Sequence, residues 1–271
     1  MVDWADLAHR HAGQSNPGAD PARLPRIERE ETPHATGRLY PILRHTALPG
    51  ELLTRWTLDP FLLVGLVAFA ALLWSRAERR GQALSGAALV AFLFISPLCA
   101  ASMALFSARV GQHILLTLIA APMIAAALPK VRLPLWPLAL VFALLFWGWH
   151  SPTPYAATLQ SDLVYWAMHL SLTGCAIALF MGFRGAGAQA AVPAVFTAAQ
   201  LTAFAVTLTL APTVWHGWHE LTALPYGLSA LADQQLAGAL MWVAGGGLFM
   251  VLVALQVRQL LRHDTLAQSA G

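Results

Sequence analysis

Long apolar segments, separated by short connections that contain most of the charged residues, make up the chain after residue 55. Each segment is long enough to cross a hydrocarbon layer of about 30 Å at a rise of about 1.5 Å per residue. The predicted spans are Leu58–Trp74, Leu84–Phe106, Gln112–Leu128, Leu133–Trp149, Leu163–Phe183, Val192–Ala211 and Asp233–Val257. The pattern therefore predicts an all-α fold, a polytopic membrane protein with seven transmembrane helices.

Residues 1–55 differ from the rest because they are rich in Arg, Asp, Glu, Pro and Gly. Such a segment cannot bury enough apolar surface to fold alone, so we expect a polar, poorly ordered N-terminal tail. It lacks the basic, apolar and small-residue succession of a signal peptide, and no cleavage is expected. The predicted membrane domain covers residues 56–262, and residues 263–271 form a cytoplasmic tail.

Composition supports the membrane class, with 58% hydrophobic residues, 11% charged residues and a mean hydropathy of +0.60. A soluble domain has roughly a quarter of its residues charged. The net charge of +3 suggests nucleic acid only weakly, because the cations lie at helix ends and form no single patch. We therefore expect the lipid bilayer, and no nucleic acid, as a partner.

The short connections predict the orientation, because cationic residues stay preferentially on the cytoplasmic side. The odd-numbered connections and the C-terminal tail carry Arg76, Arg79, Arg80, Lys130, Arg132, Arg184, Arg258 and Arg262. The even-numbered connections together contain only Arg109. The N-terminus is therefore predicted to face out and the C-terminus in.

Five histidines are predicted to lie near the outer face. Counted along helices, His113, His150 and His169 lie roughly 22 to 27 Å from the nearest cytoplasmic cation, and His216 and His219 lie in the sixth connection. Ionisable groups are costly in a bilayer and usually mark a site or a pathway. Each histidine alone also fits a structural role, such as an interhelical hydrogen bond, but the group favours a site.

Neutral imidazole is a ligand for copper, zinc and iron, and a neighbouring carboxylate or amide usually orients it. The predicted supporting residues are Arg109, Gln112, Asp233, Gln234 and Gln235, with Glu220 also available. His216 and His219 are three residues apart, close enough for one ion if the segment is helical. Met103, Met168 and Cys99 would add soft donors that favour Cu(I), although packing roles are more common for such residues.

Several motifs resemble the CtaG family, assembly factors of caa3-type cytochrome c oxidase. They are QHILLTLIAAP (Gln112–Pro122), WHSPTPYAATL (Trp149–Leu159), His169 and ADQQLAGALMW (Ala232–Trp242), with RWTLDP (Arg55–Pro60) and FISPL (Phe94–Leu98) in support. The resemblance covers roughly residues 55–257, so the domain at 56–262 is interpreted as CtaG-like. It implies a protein of the bacterial cytoplasmic membrane that acts in copper supply or insertion at the outer face, with oxidase subunits and a copper chaperone as partners.

The chain departs from the family at two positions of the first motif, where Arg109 and Val110 replace a histidine and a methionine. The family form reads HMxQH, with two histidines one turn apart on the same helical face. This chain has Arg109 where the first histidine stands, followed by Val110, Gly111, Gln112 and His113. A guanidinium has no lone pair for a metal, so the implied chelate retains His113 alone from this motif.

Two other functions remain open from the residues. A copper or proton-coupled transporter would need polar groups through the inner half of the membrane, where this chain has apolar and small residues. A bis-histidine haem protein would need paired histidines on facing helices, and His113 with His169 provides at most one pair. No nucleophile pattern, phosphate loop or HExxH motif occurs, so the chain is expected not to be an enzyme.

Overall fold

The computed structural model describes residues 46–247 and residue 250, and all regular structure in this part of the chain is helical. We number the helices α1 (Pro60–Arg76), α2 (Arg80–Ile95), α3 (Pro97–Ala104), α4 (Phe106–Ala127), α5 (Leu135–His150), α6 (Pro152–Gln160), α7 (Asp162–Ala186), α8 (Ala191–Leu210), α9 (His219–Thr222) and α10 (Ala230–Leu240). Short 3-10 turns occupy Leu52–Thr54, Gly187–Ala190 and Leu224–Tyr226. Stretches of π-helix lie at Leu115–Ala120, inside α4, and at Met241–Gly245, directly after α10.

Side-chain caps define where several helices begin. Asp59 accepts a hydrogen bond from the Leu62 amide and precedes a proline at the first position of α1. Ser229 accepts from the Ala232 amide at the start of α10. These caps satisfy amides that have no partner within the helix, which explains why the helices start there.

Within the described residues, three helices are long and apolar enough to cross a membrane: α4, α7 and α8. The pairs α2 with α3 and α5 with α6 raise the number to five if each bent pair is one span, and α1 is a shorter apolar helix. These helices support a membrane protein. The seven spans and the orientation stay predictions. Residues 1–45 of the predicted tail at 1–55, the predicted tail at 263–271, and residues 248, 249 and 251–257 of the predicted last span lie outside the described residues.

Two bends separate consecutive helices. One lies at Ser96, inside a predicted continuous span, and the other lies at Ser151, in a predicted connection between spans. The chain turns by 54° between α2 and α3 and by 71° between α5 and α6. In each case a serine in extended conformation, Ser96 or Ser151, precedes a proline that opens the next helix. Proline disfavours helical geometry in the residue before it. The predicted span Leu84–Phe106 is therefore broken at Ser96.

Helix α4 lies at the centre of the described fold, in contact with α2, α3, α7 and α10. At its carboxyl end, the Ala127 carbonyl accepts the backbone amides of Glu78 and Arg79, and Arg184 donates to the carbonyl oxygens of Ala125 and Leu128. The first, third and fifth connections, which carry the cations, thus meet at one end. The histidine-bearing segments meet near the opposite end of α4.

Candidate metal-binding site

Three histidines from three different helices touch one another and form what we call the imidazole cluster: His113 of α4, His150 of α5 and His169 of α7. Nδ1 of His113 lies 3.2 Å from Nε2 of His150, and Nε2 of His113 lies 3.2 Å from Nε2 of His169. All three side chains are buried. The sequence predicts these residues at one depth, and the structure brings them into direct contact.

The outer nitrogens of the cluster define two of its tautomers. Nδ1 of His150 lies 2.7 Å from the Phe146 carbonyl oxygen, and Nδ1 of His169 lies 2.8 Å from the Tyr165 carbonyl oxygen. A carbonyl can only accept, so each Nδ1 carries a proton and each Nε2 of a neutral ring carries a lone pair. Metal-binding histidines are commonly oriented in this way.

The central ring, His113, therefore faces two acceptors. A neutral imidazole has one N–H group, so it can donate to His150 or to His169 but not to both. The other contact brings two lone pairs together at 3.2 Å. A cation between those two nitrogens, either a metal ion or a second proton, removes this repulsion.

The spacing also suits two ligands of one ion. Nitrogens about 2.0 to 2.1 Å from a metal, at a tetrahedral angle, lie about 3.3 to 3.4 Å apart. Within the described residues, no three His, Cys, Asp or Glu side chains are arranged around a common ion position. His113 turns different nitrogens to its two neighbours, so the geometry fits a pair of ligands and does not fit a three-histidine chelate.

A cavity of about 30 Å³ lies beside His113 and His150, large enough for about one water molecule. Thr117 also lines it, and most of the remaining wall is apolar, including Phe142 and Leu201. His169 does not reach this space. The His113–His150 contact is therefore the one that a small ligand or ion can approach.

Arg109 lies one helical turn before His113 and is completely buried. Its guanidinium donates to the Ser102 carbonyl oxygen at 3.1 Å, to Oγ1 of Thr158 at 2.9 Å and to Sδ of Met103 at 3.0 Å. The rings of Tyr155 and Tyr165 flank it, at 5.3 and 5.5 Å from Cζ. No carboxylate pairs with it among residues 46–247.

His216 and His219 form a separate group outside the imidazole cluster. His219 donates from Nδ1 to the Ala104 carbonyl oxygen at 3.1 Å and accepts at Nε2 from the Tyr155 hydroxyl at 2.8 Å. His216 packs against the rings of Phe106 and Tyr155, with centroid distances of 4.5 and 4.2 Å. Neither nitrogen of His216 has a partner in the described part of the chain.

Both of these histidines are held neutral. The pKa of His216 is lowered to about 3, mainly by burial and to a smaller extent by the nearby His219. Burial likewise lowers the pKa of His219 to about 4, against the Ala104 carbonyl, which raises it. Both nitrogens of His219 are already engaged, so the predicted joint site of His216 and His219 would require Tyr155 to move.

The predicted supporting residues have other contacts. Asp233 accepts from the amides of Phe106 and Ser107, so it caps α4 and does not orient a histidine. Gln234 binds the loop before His216, through the Trp215 amide and the Thr213 carbonyl oxygen. Gln112 donates to the Leu93 carbonyl oxygen, whereas Gln235 is exposed.

Sequence reasoning missed the residues that surround Arg109. Tyr155 and Thr158 lie in the motif that begins at Trp149, and their positions one turn apart on α6 were the available signal. The sequence suggests Met103 as a soft ligand, but its sulfur accepts a hydrogen bond from Arg109. Only the 71° bend after His150 brings α6 back to Arg109, and its size is not readable from the sequence.

Comparison with known proteins gives one family. The model of the cytochrome c oxidase caa3 assembly factor family, Caa3_CtaG, matches residues 133–263. This range contains His150, His169, His216 and His219 and begins after His113 and Arg109. No curated protein and no solved structure matches the chain.

Proposed function

We propose, from the membership of residues 133–263 in the CtaG family of cytochrome c oxidase caa3 assembly factors, that this chain supplies copper to a haem-copper oxidase during its assembly. The family itself implies an assembly factor. Copper handling, and action at the outer face of a bacterial cytoplasmic membrane, are our extension. In this role the protein binds and releases a metal ion and catalyses no reaction.

The observation that carries the proposal is that the imidazole cluster lacks one hydrogen-bond donor. His150 and His169 each present a lone pair to His113, which has a single proton to donate. Cu(I) bound between the two facing lone pairs of neutral imidazoles would remove their repulsion without an extra proton. The cavity beside His113 and His150 makes this pair the better supported position.

The surroundings suit transfer more than permanent storage. The soft donor Met103 is engaged by Arg109, and Cys99 lies 3.7 Å from the Tyr165 hydroxyl, so sulfur does not add to the chelate. An ion with two nitrogen ligands leaves room for a ligand from another protein. Subunits of the oxidase and a copper chaperone are the proposed partners, within the lipid bilayer.

The test uses the purified full-length protein in detergent under reducing conditions. We expect Cu(I) to bind at one equivalent, measured by elemental analysis, and His113→Phe and His150→Phe to lower the affinity at least tenfold. His216→Phe is the matched control, since it removes a buried histidine outside the cluster. Equal copper content in all four proteins would refute the metal site.

The assembly role is tested separately in cells. A deletion strain should make an oxidase with less copper and less activity, and restoring the intact gene should recover both. Normal oxidase copper and activity in the deletion strain would contradict the assembly role whatever the purified protein binds.

The haem alternative has less support. The cavity beside the cluster has a volume of about 30 Å³, far less than a porphyrin requires, and the histidine nitrogens already touch one another. A Soret band in the purified protein would favour haem binding. Transport has less support for a different reason: among the described residues that line the cavity, Thr117 is the only polar side chain besides His113 and His150.

A further inference from the structure

We propose that Arg109 is a charge filter, a residue that makes the imidazole cluster accept a monovalent metal ion and reject a divalent one. The inference rests on the proposed metal site and adds which ions that site takes. Arg109 would act without touching the ion, through a positive charge fixed close to it.

The position of the charge is well defined by its contacts. Arg109 and His113 are four residues apart on α4, so their side chains share a helical face about 6 Å apart at Cβ. Three neutral groups, the Ser102 carbonyl, Thr158 hydroxyl and Met103 sulfur, accept from the guanidinium. The side chain is completely buried, so water does not screen it from the cluster.

The charge is also poorly compensated within the described residues. Beyond its three neutral hydrogen-bond acceptors, the guanidinium faces the rings of Tyr155 and Tyr165, and cation–π contacts offset only part of a full charge. Asp233, the buried acid of this region, accepts from the amides of Phe106 and Ser107 and makes no ion pair with Arg109 within the described residues. A guanidinium remains protonated under all ordinary conditions.

This arrangement affects ions according to their charge. Coulomb repulsion is proportional to the charge of the bound ion, so a divalent ion is repelled twice as strongly as a monovalent ion at the same position. Neutral nitrogen ligands alone bind divalent copper and zinc tightly. A fixed cation beside them therefore shifts the preference toward Cu(I), and this chain has the cation where the resembling motif has a histidine.

The experiment compares Cu(I), Ag(I) and Zn(II) binding to the intact protein and to two variants, by competition with chromophoric chelators. Arg109→Gln removes the charge and keeps a polar side chain. Thr158→Val is the matched control, because it removes one partner of the guanidinium and keeps the charge. If Arg109→Gln raises Cu(I) affinity about tenfold, proportionality to charge requires about a hundredfold increase for Zn(II).

Several outcomes would overturn the filter. Equal increases for Cu(I) and Zn(II) in Arg109→Gln, or the same change of ratio in Thr158→Val, would mean that packing and not charge sets the preference. The unmodified protein provides a test that needs no folded variant: it should bind Ag(I) but not Zn(II) at equal free concentrations. Zn(II) binding as tight as Ag(I) refutes the filter alone, whereas absence of all metal binding refutes the metal site as well.

Discussion

Gly238 and Ala205 bring α10 and α8 into backbone contact: a methyl group on Gly238 would lie 2.7 Å from the Ala205 carbonyl oxygen and closer still to the Thr209 side chain. Gly238→Ala therefore forces the helices apart, and we expect a loss of about 1 to 3 kcal/mol from overpacking. Thermal unfolding in detergent measures the change.

Gly174→Ala is the control for that substitution. Gly174 lies in α7 with open space around its Cβ position, so alanine should stabilise the helix by about 0.5 to 1 kcal/mol. A Gly238→Ala protein as stable as Gly174→Ala would contradict the close contact of α8 and α10.

Removal of the Asp233 carboxylate should destabilise the central helix. Asp233→Ala leaves the Phe106 and Ser107 amides, and the Ser107 hydroxyl, without their acceptor in a buried place. We expect a loss of about 2 kcal/mol or more in the free energy of unfolding. Asp233→Asn retains one acceptor and should lose less. Gln235→Ala, an exposed neighbour, should leave the unfolding temperature unchanged.

Acid should destabilise the fold through His216 and His219. Both have an ordinary pKa of 6.5 when unfolded and stay neutral in the folded chain down to about pH 4. Between these values the unfolded chain binds more protons than the folded chain. The free energy of unfolding therefore decreases by about 1.4 kcal/mol for each histidine when the pH is lowered by one unit. Above pH 6.5 this contribution is constant. Unfolding temperatures measured from pH 7.5 to 4.5 check the slope.

His216→Phe separates the two histidines. Phenylalanine keeps the packing on Phe106 and Tyr155 and removes two nitrogens that have no partner, so the variant should be more stable than the parent at pH 7.5. It should also lose its share of the pH slope. Lower stability at pH 7.5 would indicate that His216 has a partner outside the described residues.

Arg184 should stabilise the carboxyl end of α4. Its guanidinium donates to the carbonyl oxygens of Ala125 and Leu128, which have no partner in the last helical turn. Arg184→Gln should cost about 1 kcal/mol in unfolding free energy. Arg132→Gln removes an exposed cation from the same end of the fold, and it should have no measurable effect. Equal effects would contradict a specific cap.

Apolar periodicity predicted helix existence well and helix ends less well. The predicted span Leu163–Phe183 lies within α7, Asp162–Ala186, and Val192–Ala211 nearly coincides with α8, Ala191–Leu210. By contrast, α4 begins at Phe106 and not at Gln112, because Asp233 caps it from another helix. Such a cap is a tertiary contact, and no local pattern near Phe106 reports it.

The sequence likewise predicted part of the candidate site and not the rest. Helix length and the position of the cationic connections predict one depth for His113, His150 and His169, and the structure shows that the three rings meet. The sequence also predicts His216 and His219 near the outer face, but aromatic packing on Tyr155 and Phe106 holds them apart from the cluster. The burial of Arg109 depends on the turn of α6, which helical periodicity does not specify.

The cap between Asp233 and Phe106 joins residues that are 127 positions apart. A ribosome therefore completes α4, α5 and α7, with all three cluster histidines, before it makes the acid that finishes the amino end of α4. Until α10 is in place, the helix that carries His113 has unsatisfied amides at its start. We therefore expect the imidazole cluster to settle only after α10 has been made, so that a chain truncated before α10 would carry all three cluster histidines without their final arrangement.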